Sequence, residues 1–272
     1  MVLRSDSVLK KPSTWPAELL RRLWNAKELI LTLLAALIGW IIILEIQDYH
    51  PLVLPPPGAV WEYLVAEWSS LAKETLWSFY EMLLGFALGG SLGFAMAIAI
   101  FYSPFVHRAV YPYVFGFRVV PKVAFLPLFL VWFGIGLTVK VVMAGTAVFF
   151  LVLVQTHLGL ATVDPSLVEL GKSLKMKESL LLRQIRIPAA LPAIMVGIKL
   201  GITYALTNVV VAEMVVATNG LGFLVVRARQ QSRTDGIIAV IIVTAIVGIL
   251  VYQLGRAVER RFTFWYFEER TG

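Results

Sequence analysis

The chain has no cysteine in 272 residues, which excludes disulfide frameworks, thiolate metal sites, cysteine nucleophiles and lipid attached through sulfur. Histidine is scarce too. His50, His107 and His157 are far apart in sequence and form no spaced ligand set, so no metal site is expected. Charged residues make up only 15%, against about a quarter in a soluble domain. Hydrophobic residues reach 59% and mean hydropathy is +0.81. One globular core cannot hide that excess, because its surface still needs polar cover. A soluble enzyme is excluded on this ground. The net charge of +7 then reads as lysines and arginines held on one side of a bilayer, not as a nucleic-acid footprint.

What is there is long apolar runs. A hydrocarbon layer about 30 Å thick needs roughly 20 apolar residues of helix. Six stretches approach or reach that length: Leu29–Ile46, Leu76–Tyr102, Val110–Phe133, Val139–Ala161, Ala189–Ala217 and Ile237–Leu254. They define an all-α membrane protein with six transmembrane helices. A 1–28 segment precedes the 29–254 membrane domain and a 255–272 tail follows it. The first span has no small-residue cleavage pattern after Ile46 and is expected to be retained. With the N-terminus inside, segments 1–28, 103–108, 162–188 and 255–272 carry 16 Lys and Arg; segments 47–75, 134–140 and 218–236 carry 5. The positive-inside rule places both termini in the cytoplasm.

Small residues recur every fourth position in two spans: Gly85, Gly89, Gly93 and Ala97 in the second, Ala193, Gly197, Gly201 and Ala205 in the fifth. Such stripes allow close helix approach in lipid, where no hydrophobic force drives association. The cluster Pro55-Pro56-Pro57-Gly58 reads as a rigid turn ahead of an interfacial segment with Trp61, Tyr63 and Trp68.

The loop 162–188 is more than a connector. Asp164-Pro165-Ser166 is a helix start, with Asp as N-cap and Pro at the first helical position. Leu167, Leu170 and Leu174 follow on one face beside Glu169, Lys172 and Lys175. A short amphipathic helix of this kind lies on lipid or docks in a groove of another protein. Gly171-Lys172-Ser173 imitates the end of a phosphate-binding loop, but Ser166 stands where the first glycine belongs and no strand precedes it.

Glu169-Leu-Gly-Lys-Ser-Leu-Lys175 followed by Ile185-Arg-Ile187-Pro188 resembles the cytoplasmic EAA loop of ABC-importer permeases. Two positions depart: Leu170 stands for the family's first Ala, and Lys175 for its Gly, which serves the turn after the short helix. Further stretches resemble the sulfonate, taurine, nitrate and bicarbonate permeases. These are Leu54-Pro55-Pro56-Pro57 before Val60-Trp61, Val120-Pro121-Lys122-Val123-Ala124 with Trp132-Phe133-Gly134-Ile135-Gly136, and Val211-Ala212-Glu213-Met214 with Gly220-Leu221-Gly222.

The resemblance implies a type I importer permease of the bacterial inner membrane that binds no cofactor itself. Implied partners are a second permease copy, two ATP-binding subunits that hold ATP and Mg, an extracytoplasmic substrate-binding protein and membrane lipid. Asp164, Leu167, Glu169, Leu170, Gly171, Leu174, Lys175 and Pro188 would form the ATPase-coupling element. The expected cargo is a small oxyanion; pyrimidine precursors and flavins are the alternative.

Charges at span depth are costly and therefore mark candidate path or gate residues. Arg118 and Lys122 either snorkel or line an anion path; Lys199 either bonds a helix carbonyl or lines the path. Asn208 and Thr207 can bond across helices, while Gln155 and His157 read as packing groups. Glu213 is expected to take backbone N–H groups of the 218–222 turn, or Arg227 or Arg229, and so to pin an outer gate; direct contact with cargo is the alternative. A secondary transporter would need a relay of intramembrane acids, and Glu213 stands nearly alone in the assigned spans. An intramembrane enzyme would need a convergent catalytic set, and none is visible, so no catalytic residue is assigned.

Overall fold

In the computed structural model the described residues are 15–47 and 50–264. Residues 1–14 and 265–272 of the two expected tails lie outside them, as does the side chain of Arg118. All regular structure among the described residues is helical. Contacts divide the chain into two units, 1–59 and 60–272. The first holds α1 (Trp15–Gln47), a 33-residue helix whose apolar part is Leu34–Ile46.

The second unit begins within α2 (Pro57–Ala66), where Tyr63 is buried while Trp61 and Trp68 are exposed. Among the described residues, four helical stretches are long and apolar enough to cross a membrane. They are α3 (Trp68–Tyr102), α6 (Leu137–Ala161), the stretch containing α9 (Ile187–Val216), and α11 (Thr234–Phe262). At 1.5 Å per residue, the 30 residues of α9 reach about 45 Å, more than the hydrocarbon thickness.

The expected third span, Val110–Phe133, is not one helix. It divides into α4 (Pro104–Val119), a 3₁₀ turn at Lys122–Phe125 and α5 (Leu126–Phe133). Pro121 is the cause: its ring bars the residue before it from helical geometry, and Val120 is extended at φ −68°, ψ 127°. The break strands carbonyls at the end of α4. Lys122 Nζ folds back onto two of them, Phe117 O at 2.7 Å and Val120 O at 2.8 Å.

The second half of the 162–188 loop is also more helical than expected. After α7 (Pro165–Ser173), α8 (Glu178–Leu181) runs through a π turn at Leu182–Arg186 straight into α9. Pro188 explains the wide turn. It lacks an N–H and its ring crowds the carbonyl four residues back, so an α turn there would clash.

α6 is the central strut, packed against α3 on one side and α9 on another. The two stripes of small residues make both contacts. A Cβ on Gly89 would overlap the carbonyl of Gly145, and one on Gly197 would lie 2.9 Å from Gln155 Cβ. The larger side chains Met82, Val148, Val152, Leu206 and Val209 fill the core between these helices.

Candidate functional site

Three features stand apart from helix packing. The first is a cavity of about 500 Å³ where the Val120–Pro121 break faces α6 and α9. Its polar lining is Lys122, Gln155, Tyr204, Thr207 and Asn208, set between Phe150 and valines. The ammonium of Lys122 sits 4.7 Å from the centre of the Phe150 ring. Asn208 Nδ2 donates to Tyr204 O at 2.8 Å, which fixes its amide on the cavity side of α9. Of the expected path residues, Lys122 and Asn208 meet here. Gln155, read from sequence as a packing group, lines the same cavity. Lys199 does not: it forms an ion pair with Glu259 of α11 at 2.7 Å.

The second feature is α7. Asp164 Oδ1 accepts from the Ser166 N–H at 2.8 Å and from the Ser166 hydroxyl, and these bonds hold its carboxyl below the usual aspartate range. Gly171 is buried against Leu181, Ile185 and Met176, which seats α7 on the helix leading into α9. Leu167, Glu169, Leu170 and Leu174 are exposed. The helix ends in a Schellman motif, with Met176 N–H donating to Gly171 O at 3.1 Å and Lys175 N–H to Lys172 O at 2.9 Å. That motif needs a left-handed residue, and Lys175 occupies it at φ 55°.

The third feature lies at the opposite end of α6, where the short helix α10 (Leu221–Gln230) begins. The first N–H groups of a helix have no partner within it. Here three in a row find acceptors on other helices. Gly220 N–H donates to Glu74 Oε2 at 2.7 Å, Leu221 N–H to Ser78 Oγ at 2.8 Å, and Gly222 N–H to Glu213 Oε2 at 2.8 Å. Ser78 Oγ donates onward to Glu213 Oε1 at 2.6 Å. Lys140, fully buried, pairs with Glu81 at 2.7 Å and donates to Asn219 Oδ1 at 2.7 Å. Asn219 Nδ2 donates to Glu81 Oε1 at 3.0 Å. Negative groups also suit the positive end of the α10 dipole. Close approach requires glycine at Gly220 (φ 100°) and Gly222, where any Cβ would overlap Glu213 or the Val210 carbonyl.

Glu213 therefore takes an N–H of the 218–222 turn, as expected, and its other bond is to Ser78 rather than to Arg227 or Arg229. Its isolation is corrected: Glu74 and Glu81 are buried beside it, and Lys140, counted above as an outer cation, is a buried ion-pair member. Sequence reasoning missed Glu74, Ser78, Glu81 and Lys140. The signal was the i, i+4, i+7 spacing of the first three, which puts them on one face of α3. Among the described residues no three His, Asp or Glu side chains are grouped to hold a metal ion.

A helical bundle with several membrane-length helices, a polar-lined cavity at a broken helix and an exposed amphipathic helix between two spans defines a multi-pass membrane transport subunit. Residues 89–264 match the family described as binding-protein-dependent transport system inner membrane component, and the chain belongs to that family of ABC-importer permeases.

Among its relatives, the taurine transport system permease protein TauC of Escherichia coli (strain K12) is 34% identical over 245 residues, 87% of this chain and 89% of that one. The putative aliphatic sulfonates transport permease protein SsuC of Bacillus subtilis (strain 168) is 35% identical over 188 residues, 69% and 68% of the two chains. The riboflavin transport system permease protein RibX of Chloroflexus aurantiacus is 30% identical over 247 residues, 89% and 91%.

Solved structures share the fold. An amino acid ABC transporter chain aligns with a TM-score of 0.63 at 18% identity, covering 73% of this chain and 96% of its own. A chain of the MetNI methionine ABC transporter, in an inward-facing conformation, gives 0.57 at 18% identity, covering 76% and 99%. The architecture is the type I importer permease fold.

Proposed function

We propose that this permease carries a small organic anion of the sulfonate type, and that two copies form its path by alternating access. The observation that supports this reading is the cavity: one fixed cation, two amides and two hydroxyl groups among apolar walls. A charge-assisted contact from Lys122 suits an oxyanion, and Phe150 and the valines suit a short apolar body. Sulfonate and taurine relatives favour the same cargo. The riboflavin relative, together with Phe150 and Tyr204 in the wall, favours a second reading, a flat aromatic solute.

Energy would enter through α7. Leu167, Leu170 and Leu174 would fill a cleft of an ATP-binding subunit, while Glu169 meets backbone or polar groups at its rim. Asp164 caps the helix, and Gly171 and Lys175 shape its seat. Closure of the two ATP-binding subunits would move α7. Its contacts on Leu181 and Ile185 would pass that motion to α9, which carries Asn208 and Thr207 of the cavity. Pro188 stiffens the start of that lever. At the other end, Glu213 would pin the gate formed by the 218–222 turn.

The test is uptake into proteoliposomes holding this chain, its ATP-binding subunit and its binding protein. The expected result is ATP-dependent taurine or alkanesulfonate accumulation that riboflavin does not compete away. Competition by riboflavin alone would favour the second reading. Glu169→Lys is expected to leave the chain inserted and to abolish association with the ATP-binding subunit or the ATP dependence. Normal uptake by this variant would instead make α7 a lipid-surface helix.

A further inference from the structure

The polar side chains of the cavity at the Val120–Pro121 break differ in how many hydrogen bonds they have left to give. Lys122 Nζ donates to Phe117 O and Val120 O, so at most one of its three hydrogens remains for a solute. Asn208 spends one amide hydrogen on Tyr204 O. The Thr207 hydroxyl donates to Thr203 O at 3.4 Å. Gln155 is different. It is half-buried and lines the cavity, and among the described residues its amide has no hydrogen-bond partner.

A glycine sets where that amide lies. A Cβ on Gly197 would stand 2.9 Å from Gln155 Cβ and 3.4 Å from Gln155 Cγ. The stem of Gln155 therefore rests on the bare backbone of α9, and its amide reaches past Gly197 into the cavity. Holding the stem in advance reduces the entropy lost when a solute binds. Asn208 is further along the same helix, about 16 Å from Gly197 at 1.5 Å per residue. Gln155 thus marks one end of the cavity and Asn208 the other, with Lys122 against Phe150 between them. The Gln155 end is the one toward the 162–188 loop, since α6 finishes at Ala161.

An anionic head with several oxygens needs more hydrogens than Lys122 has left. The ammonium attracts it over a distance, and the Gln155 amide brings two N–H groups that nothing else in the protein occupies. The amide is neutral, so it orients an anion without trapping it in an ion pair. That balance suits a passage, where a solute must bind and also leave.

We propose that Gln155 is a specificity-determining residue, given the anionic cargo proposed above. Its amide N–H groups read the charged head of the solute at the end of the cavity toward the 162–188 loop. Gly197 is the positioning residue that holds the amide there.

The test is ethanesulfonate uptake into proteoliposomes holding the chain, its ATP-binding subunit and saturating binding protein. Gln155→Met keeps the unbranched stem and removes the amide. It is expected to lower the uptake rate roughly ten- to a hundredfold, the worth of a hydrogen bond to a charged group. Gln155→Glu keeps the shape, removes the donors and adds a negative charge, so its loss is larger. Because the amide bonds nothing within the protein, Gln155→Met is expected to keep the native melting temperature. A packing role predicts the opposite pattern, a lower melting temperature in Gln155→Met and a mild effect of Gln155→Glu.

The absence of cysteine allows an independent check on the full chain in lipid nanodiscs. In Gln155→Cys, a sulfonatoethyl methanethiosulfonate is expected to gain at least about tenfold in rate over a trimethylammonioethyl one, relative to their ratio at Ser69→Cys. Adding Lys122→Met is expected to remove that gain. Native uptake of ethanesulfonate with an undiminished rate in Gln155→Met overturns the proposal and leaves the anionic cargo standing. Native uptake of riboflavin without ethanesulfonate overturns both. A reagent ratio at position 155 equal to that at Ser69→Cys also overturns the proposal, because this end of the cavity then draws no anion.

Discussion

At the scale of single residues, the clearest departure from local preference is Lys175 in the left-handed region. A side chain there costs about 1–2 kcal/mol, and glycine, which adopts that geometry freely, recovers only part because it loses more freedom on folding. Lys175→Gly is expected to stabilise the end of α7 by about 0.5–1 kcal/mol. Amide exchange at Lys175 and Met176 is expected to slow by roughly two- to fivefold, since about 1.4 kcal/mol is a factor of ten. Unchanged exchange would mean that Lys175 gains as much from its surroundings as its backbone loses. The sequence made this position visible, because a turn signal was missing where α7 had to stop. The buried acids were less visible. The apolar window of α3 opened at Leu76, so Glu74 fell into the preceding segment and Lys140 into the next one. Both are buried because α3 and α6 extend past their apolar windows and meet the 218–222 turn. Burial of a charge depends on partners 59 to 146 residues away, which local pattern does not report.

At the scale of elements, close backbone approach replaces bulky interdigitation. α3 and α6 meet through glycine on both sides, Gly89 against Gly145. Gly89→Ala is expected to lower the thermal stability of the purified chain by about 1–3 kcal/mol, the usual cost of overpacking. Gly90, one position round the same helix, would place a Cβ 3.9 Å from Val148, an ordinary contact, so Gly90→Ala is not expected to lower it. Equal effects of the two would show that loss of glycine flexibility, not contact, decides stability. These stripes were legible from four-residue spacing alone, although their partner helix was not. The broken third span shows the opposite limit. Hydropathy runs unbroken across Val120–Pro121, so a window measure joins α4 to α5. The stereochemistry of proline separates them, and Lys122 satisfies the freed carbonyls.

At the scale of the whole molecule, the excess of basic residues in four of the seven segments outside the spans predicts that α7 and the start of α3 face opposite sides of the membrane. The chain's lack of cysteine makes this simple to test, since Ser69 and Ser179 are both exposed. Cysteines placed there one at a time are expected to react with an impermeant maleimide from opposite sides of sealed vesicles. Labelling from the same side would overturn the six-span topology.

The π turn at Leu182–Arg186 sets a further condition, on chain length. A π turn holds one residue more than the α turn it replaces. Because Pro188 bars the α turn, deleting one residue of that segment would not relax the wide turn but draw the preceding residue into it. The path would shorten by about 1.5 Å, and everything ahead of it would rotate by about 100° around the axis of α9. Leu181 would swing away from Gly171, and the exposed leucines of α7 would point along a different bearing. The spacing between Gly171 and Pro188 is thus a phase angle written in residues. Substitutions in that interval can be absorbed, but a single insertion or deletion turns the docking helix away from whatever it must meet.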